Sequence, residues 1–382
     1  MRRLLSALLA LLLLCPAAGA EGWIVDENEE DIFPDRRTQA RVLMRSMTLE
    51  EKVWQLILTE VETLTEEAVS FRLGASNVLA KRPVGGVVIF GQNIVSEEQL
   101  KKLIADLQLQ AGQADVYPLF IAVSEEGGAW SRVANKLGYE LPLSPSEAAE
   151  SSTGLKAYQT GRQIADYLTP FGINLDFAPV SDVLTTKSAW IRPRVYGSDP
   201  GKVAIQALQM AKGLRAGGVI PCFSHFPGQG SATGNLNNRE VVTIRALAEF
   251  QAADWVPFRK AIEDGAEMIM TTHSICRATK DGTPASLSKV AVSDWLRGEL
   301  GFQGVVITDS LRMGAIKTEY KAGEAAVMAL QAGCDLLLLP ADADTAAAAI
   351  LDAIDDGALT VERIDESVER VLALKIDKGI IQ

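Results

Sequence analysis

Residues 301–310, Gly301-Phe302-Gln303-Gly304-Val305-Val306-Ile307-Thr308-Asp309-Ser310, set four β-branched side chains between a glycine and a carboxylate-hydroxyl pair. Such side chains are restricted about χ1 and suit a pleated strand better than a helix. The run does not alternate with polar residues, so both of its faces meet apolar surroundings, as in a parallel strand covered by helices. The same pattern recurs at Val87 to Phe90, Leu119 to Val123, Ile173 to Phe177, Val219 to Phe223, Glu267 to Met270 and Cys334 to Leu339. Amphipathic stretches lie between these runs. Val203, Ala207, Met210, Ala211 and Leu214 recur at helical spacing, and that helix is expected to end at Gly217-Gly218.

Seven strands alternating with helices, an eighth being undetermined, fit either a closed β/α barrel or a doubly wound sheet. Placement of the polar clusters favours the barrel. Ser124-Glu125-Glu126-Gly127-Gly128, His225-Phe226-Pro227-Gly228 and Asp309-Ser310 all follow strand C-termini, the face at which barrels gather their sites. Glu126-Gly127-Gly128 also lacks the G-x-G-x-x-G spacing of a dinucleotide fold. The expected fold class is α/β, a single-domain TIM-type (β/α)8 barrel. Ahead of it, Thr48-Leu49-Glu50-Glu51 reads as a capping box opening a helix through Val53, Leu56 and Ile57. Val361 to Ile376 reads as a final amphipathic helix.

Met1-Arg2-Arg3, the leucine-rich run from Leu4 to Cys15 and Ala18-Gly19-Ala20 have the charged, apolar and small-residue order of a secretory signal peptide. The run is too short for a durable membrane span. Residues 1–20 are therefore expected to be removed, leaving an exported chain, 21–382, without a transmembrane segment. A lipid anchor at Cys15 is the alternative, and Leu14 before it is a poor match to the small residue that lipidation prefers. The mature chain of roughly 360 residues suits one large domain and contains no linker or repeat. A net charge of −12 supplies no basic footprint, so nucleic acid is not an expected partner. Cys222, Cys276 and Cys334 are odd in number and lack metal-ligand spacing, so free, buried thiols are expected.

Read in order, the clusters form a longer series. Met47-Thr48-Leu49-Glu50-Glu51-Lys52 is followed by Val84-Gly85-Gly86-Val87 and Phe90-Gly91, then by Glu126-Gly127-Gly128 with Arg132. Gly172-Ile173-Asn174-Leu175-Asp176-Phe177-Ala178-Pro179-Val180 comes next, then Arg194 before Tyr196-Gly197-Ser198-Asp199-Pro200. His225-Phe226-Pro227-Gly228, Thr272-His273, Pro284-Ala285-Ser286-Leu287-Ser288 and the stretch ending at Asp309 complete it. The series resembles glycoside hydrolase family 3 of the β-N-acetylhexosaminidase type over nearly the whole mature chain. That resemblance implies a retaining, single-domain enzyme that releases terminal β-N-acetylhexosamine, often from peptidoglycan fragments. A carbohydrate is the implied partner, with no metal and no organic cofactor. Relatives with a second domain draw a glutamate acid/base from it, a route this chain is expected to lack. The residues carry no signal for an oligomeric state.

Retaining hydrolysis needs a nucleophile on one side of the sugar and a proton donor to the leaving oxygen on the other. Asp309 matches the family nucleophile. Arg132, Arg194 and His225 match residues that hold sugar hydroxyls, work for which guanidinium and imidazole present suitable fixed donors. His273 also follows a strand and reads equally well as structural. Five family positions depart from the pattern. Ser124 stands for aspartate, Ser224 for lysine and Gln229 for a second histidine, while Asn235 and Asn237 replace both members of an Asp-x-His acid/base dyad. An amide has no proton to donate near neutral pH. The chain has 2 histidines, so none is spare, and the carboxylates available as substitutes are Glu240, Glu125 and Glu126. Two readings follow: a glycosidase with altered acid catalysis or sugar preference, or a catalytically impaired homologue that binds glycans.

Overall fold

The β-branched runs become strands because each is captured along both edges. The computed structural model describes residues 35–65, 67–71, 78–187 and 189–382; the expected signal peptide and Cys15 lie outside the described residues. Eight parallel strands follow one another in chain order. They are β1 (Ile57–Glu60), β2 (Gly86–Val88), β3 (Phe120–Val123) and β4 (Leu175–Asp176), then β5 (Ile220–Phe226), β6 (Met268–Thr271), β7 (Val305–Thr308) and β8 (Leu337–Leu338). β8 pairs with β1 through Ile57 and Leu337, and a parallel bridge between Ile307 and Leu336 brings β7 against β8 and completes the ring. Every residue of these strands except Glu60 is buried, which accounts for runs that are apolar on both faces. The expected TIM-type barrel is thus the observed fold.

The undetermined eighth strand is β1, and it corrects the expected helix through Leu56 and Ile57. Thr48 and Glu51 form the capping box, with Thr48 N donating to Glu51 Oε2 at 2.7 Å and Glu51 N to Thr48 Oγ1 at 3.2 Å. The helix stops at Gln55, however. Leu56 and Ile57 satisfy helical spacing from Val53, yet β8 pairs with Ile57 and Leu58 and β2 with Leu58, Thr59 and Glu60, and pairing outweighs the local pattern. Observed strand ends elsewhere differ from expectation by a few residues, as at β5, which runs on through His225 and Phe226, and at β8, which begins at Leu337 and not at Cys334. The helix Pro200–Ala216 stops before Gly217 as expected, and the final helix spans Val361–Asp377. Cys222, Cys276 and Cys334 are free and buried. Among the described residues no helix is long and apolar enough to cross a membrane.

The N-terminal end of the barrel is locked by charge. Asp335, just before β8, is fully buried and accepts from Val306 N at 2.9 Å, Ser367 Oγ at 2.7 Å and Arg370 at 3.0 Å, and is paired with Arg297. Burial alone would raise its pKa, but Arg297, Arg370 and Arg363 together hold it below the usual aspartate value. Lys375 of the final helix is also fully buried, its Nζ 3.1 Å from Gln55 Oε1 and 4.9 Å from the centre of the Phe120 ring.

Candidate active site

At the opposite end, Val88, Phe177, Met270 and Leu338 floor a cavity of about 690 Å³ at the C-terminal ends of the strands. Asp309 enters it as the first residue beyond β7. Its backbone N donates to Thr271 O at 3.0 Å, and its Oδ1 accepts from Ser310 N at 2.7 Å, leaving Oδ2 for a ligand. His273 props the same turn from below. Its Nε2 lies 2.9 Å from the Ser310 carbonyl and its Nδ1 2.7 Å from Ser286 Oγ. A carbonyl can only accept, so Nε2 carries the hydrogen and Nδ1 takes the serine proton. Burial lowers the pKa of His273, which suits this neutral tautomer. Of its two readings the structural one holds: His273 positions the turn and has no nitrogen left for a ligand.

Successive strand residues point to opposite sides, so in β5 His225 lines the cavity while Phe226 packs outward against Trp255 and Phe258, at 5.8 and 5.4 Å between ring centres. His225 Nδ1 lies 2.8 Å from Oδ2 of Asp182, a buried carboxylate whose Oδ1 accepts from Gln229 N at 2.6 Å. Asp182 thereby fixes the ring and turns Nε2 towards the cavity. Sequence reasoning missed Asp182; an isolated aspartate soon after β4 was its only sign.

Arg194 and Arg132 reach the cavity from two other sides. Arg194 donates to Glu126 through two bonds, Nε to Oε2 at 2.7 Å and Nη2 to Oε1 at 2.5 Å. Its guanidinium lies 5.2 Å from the Trp130 ring centre and 6.0 Å from that of Trp190. Burial opposes its charge, but Glu126, Asp309 and Asp182 more than offset this and raise its pKa. Arg132 lies 5.0 Å from the Phe90 ring centre, its pKa lowered by burial. The turn carrying Glu126 depends on Gly127, whose φ is 94° and where a Cβ would sit 2.2 Å from the Leu143 carbonyl.

The asparagine loop closes the remaining side. Gly314 N donates to Asn237 O and Ala315 N to Leu236 O, both at 2.9 Å, seating the loop on the segment that follows Asp309. A Cβ at Gly314 would sit 2.4 Å from Asn238 C, so glycine is what lets the two segments meet. Asn237 lines the cavity and Asn235 does not; Asn235 instead accepts from Asn237 N at 2.9 Å through its side-chain oxygen. Ser124 and Gln229 line the cavity as well, whereas Ser224 is buried within β5 away from it.

None of the three substitute carboxylates is disposed as a free acid. Glu240 is exposed and outside the cavity lining. Glu125 is buried beneath it, accepting from Val133 N and Ala134 N at 3.0 Å and from Tyr167 Oη at 2.7 Å. Burial raises its pKa against those bonds. Glu126 lines the cavity but is committed to Arg194. Among the described residues, the carboxylates of the lining are Glu126 and Asp309.

Residues 48–374 match the family described as "Glycosyl hydrolase family 3 N terminal domain". The chain belongs to glycosyl hydrolase family 3. The β-hexosaminidase of Chromobacterium violaceum is 34% identical over 274 residues, covering 70% of this chain and 75% of the relative. That of Neisseria gonorrhoeae is 34% identical over 265 residues, covering 67% and 71%. Among solved structures, a family 3 β-N-acetylglucosaminidase from Paenibacillus sp. superposes with a TM-score of 0.82 at 32% identity, over 88% of this chain. This chain spans 63% of that one. As a family 3 barrel, the protein has Asp309, Arg132, Arg194 and His225 around one cavity, the four residues that the motif series singles out, and the amide of Asn237 faces the same space.

Proposed function

We propose that the protein is a retaining glycosidase of the β-N-acetylhexosaminidase type, acting on β-linked amino-sugar glycans such as cell-wall fragments. The observation that carries this reading is the placement of Asp309, rigidly held at the end of β7 with one carboxylate oxygen turned to the cavity. That oxygen attacks the anomeric carbon and the leaving oxygen departs from the opposite side, giving a glycosyl ester on Asp309 that water then hydrolyses. Arg132 donates to ring hydroxyls and His225 Nε2, with the Nδ1 hydrogen given to Asp182, accepts from one, while Arg194 with Glu126 shapes the wall behind them.

The proton for the leaving oxygen is the weak point. Asn237 occupies the side where a titrating group would act, and an amide donates no proton near neutral pH. An ordinary sugar alcohol is a poor leaving group without that proton, whereas an activated phenol is not. The protein is therefore expected to cleave activated aryl N-acetyl-β-glucosaminides measurably and natural disaccharides very slowly. Steady-state kinetics on both substrates, with Asp309→Asn as control, tests this. Rapid cleavage of natural disaccharides would mean that another acid serves, with Glu240 the first to mutate. No cleavage of any aryl glycoside, together with measurable glycan binding, would favour the second reading, a glycan-binding homologue, which the amide at Asn237 supports.

A further inference from the structure

One wall of the cavity is held from behind by a single carboxylate. Gln229 and Asn237 line the cavity from the segment 229–244. Asp254, at the end of the helical turn Phe250–Asp254, meets the residues at both ends of that segment. At the first end, a Cβ on Gly228 would stand 2.7 Å from Asp254 Oδ1 and 2.8 Å from its Cβ, so glycine is what lets the turn after β5 press on the carboxylate. At the second end, Arg245 Nη2 lies 2.9 Å from Asp254 Oδ2.

The carboxylate is poorly provided for. Asp254 is fully buried, and apart from the Arg245 ion pair neither of its oxygens has a hydrogen-bond partner among the described residues. Arg245 Nε and Trp255 Nε1 are buried without one as well. A single ion pair does not replace the hydration of a carboxylate, so the charged form is held at a cost. The charged and titratable groups that face Asp254 are Arg245, Asp182 with its partner His225, and Cys276; Glu249 lies beyond Arg245, 3.7 Å from its Nη1. Burial, opposed by Arg245 and reinforced by Asp182, pushes the Asp254 pKa up to about 7.

We propose that Asp254 is a proton-operated brace for this wall: protonated, it seats the segment 229–244, and ionised, it loosens it. When the segment lifts, Asp254 meets water and its pKa returns towards the ordinary value of 3.8, so the lifted form holds the proton less tightly than the seated one. Between those two values lifting releases a proton and becomes easier as pH rises. The brace is independent of the proposed glycosidase activity; its effect on turnover rests on that reading and acts through Gln229 and Asn237, which belong to the segment.

Amide hydrogen exchange of the full chain at pH 6, 7 and 8, corrected for the intrinsic rate at each pH, tests the proposal without any substrate. The reporters are the amides of Gly314 and Ala315, which donate to Asn237 O and Leu236 O, with the distant helix Glu97–Gln113 as reference. Opening at the reporters is expected to rise about tenfold from pH 6 to pH 8 relative to the reference. Asp254→Asn, shaped like the protonated acid, should keep the pH 6 level throughout and so protect the reporters better than wild type at pH 8. A merely structural role would instead loosen them at every pH. Arg245→Gln removes the cation that holds the pKa down and should move the rise to higher pH. A wild type without the rise overturns the proposal, as does a rise that persists in Asp254→Asn, which would assign it to His225. Reporters less protected at pH 8 in Asp254→Asn than in wild type also overturn it. Should Asp254→Asn fail to fold, a rise left in place by Arg245→Gln overturns it equally. Absence of glycosidase activity would leave all of these results standing.

Discussion

On the proposed reading, Asn237 is the residue on which the chemistry turns, because it lines the cavity at the position that matches the family's proton donor. Restoring the dyad with Asn235→Asp and Asn237→His should therefore raise kcat/KM on natural disaccharides by about tenfold or more, and on activated aryl glycosides much less, since a general acid contributes on the order of 10² to 10⁴-fold. Parallel kinetics on the two substrate classes check this; equal gains on both would mean that the loop alters binding and not proton transfer. Asp309, His225, Arg132 and Arg194 could be picked out in the sequence because each belongs to the motif series, the first two directly at strand ends. Asp182, Trp130 and Trp190 could not, since their roles depend on what lies beside them in space. Glu240 was legible only as a nearby carboxylate; three residues from Asn237 along the chain, it is exposed outside the cavity.

Among the elements, β8 and the final helix Val361–Asp377 depend on one buried carboxylate. Asp335→Ala would leave Arg297, Arg363 and Arg370 without their common anion, and is expected to cost about 3 to 5 kcal/mol in urea denaturation. A loss within about 0.5 kcal/mol, as at an ordinary surface site, would contradict this picture. Lys375 acts in the opposite sense. Burial lowers its pKa to about 7 from the ordinary lysine value of 10.5, so between these values the unfolded chain binds more protons than the folded one. Its contribution to stability thus increases as pH rises from about 7 towards 10.5 and is at its least below 7. Lys375→Met should weaken the pH dependence of the melting temperature across that window; an unchanged dependence would show that the lysine is charged in the folded state. Seven strands were readable as apolar runs, but β1 was not, because Val53, Leu56 and Ile57 also satisfy helical spacing. Only the edges of β2 and β8 distinguish the two states.

For the molecule as a whole, the opening sequence and the barrel make separate claims. Export is proposed from Met1-Arg2-Arg3, the apolar run and Ala18-Gly19-Ala20; mass spectrometry of the protein from its native cells should find a chain beginning near Glu21, and an intact Met1 would refute it. The barrel makes the stronger claim that Asp309 forms a covalent bond to a sugar. With an amide at Asn237 in place of the family's acid/base histidine, hydrolysis of that ester should be slow as well, since water lacks that base to activate it. The glycosyl-enzyme should therefore accumulate when formed from an activated aryl N-acetyl-β-glucosaminide. Rapid acid quenching followed by mass spectrometry of the proteolysed protein is the most direct measurement: one N-acetylhexosaminyl unit is expected on the peptide containing Asp309 and is expected to be absent in Asp309→Asn. Turnover of the aryl glycoside with the sugar attached to another residue, or undiminished in Asp309→Asn, would contradict the account.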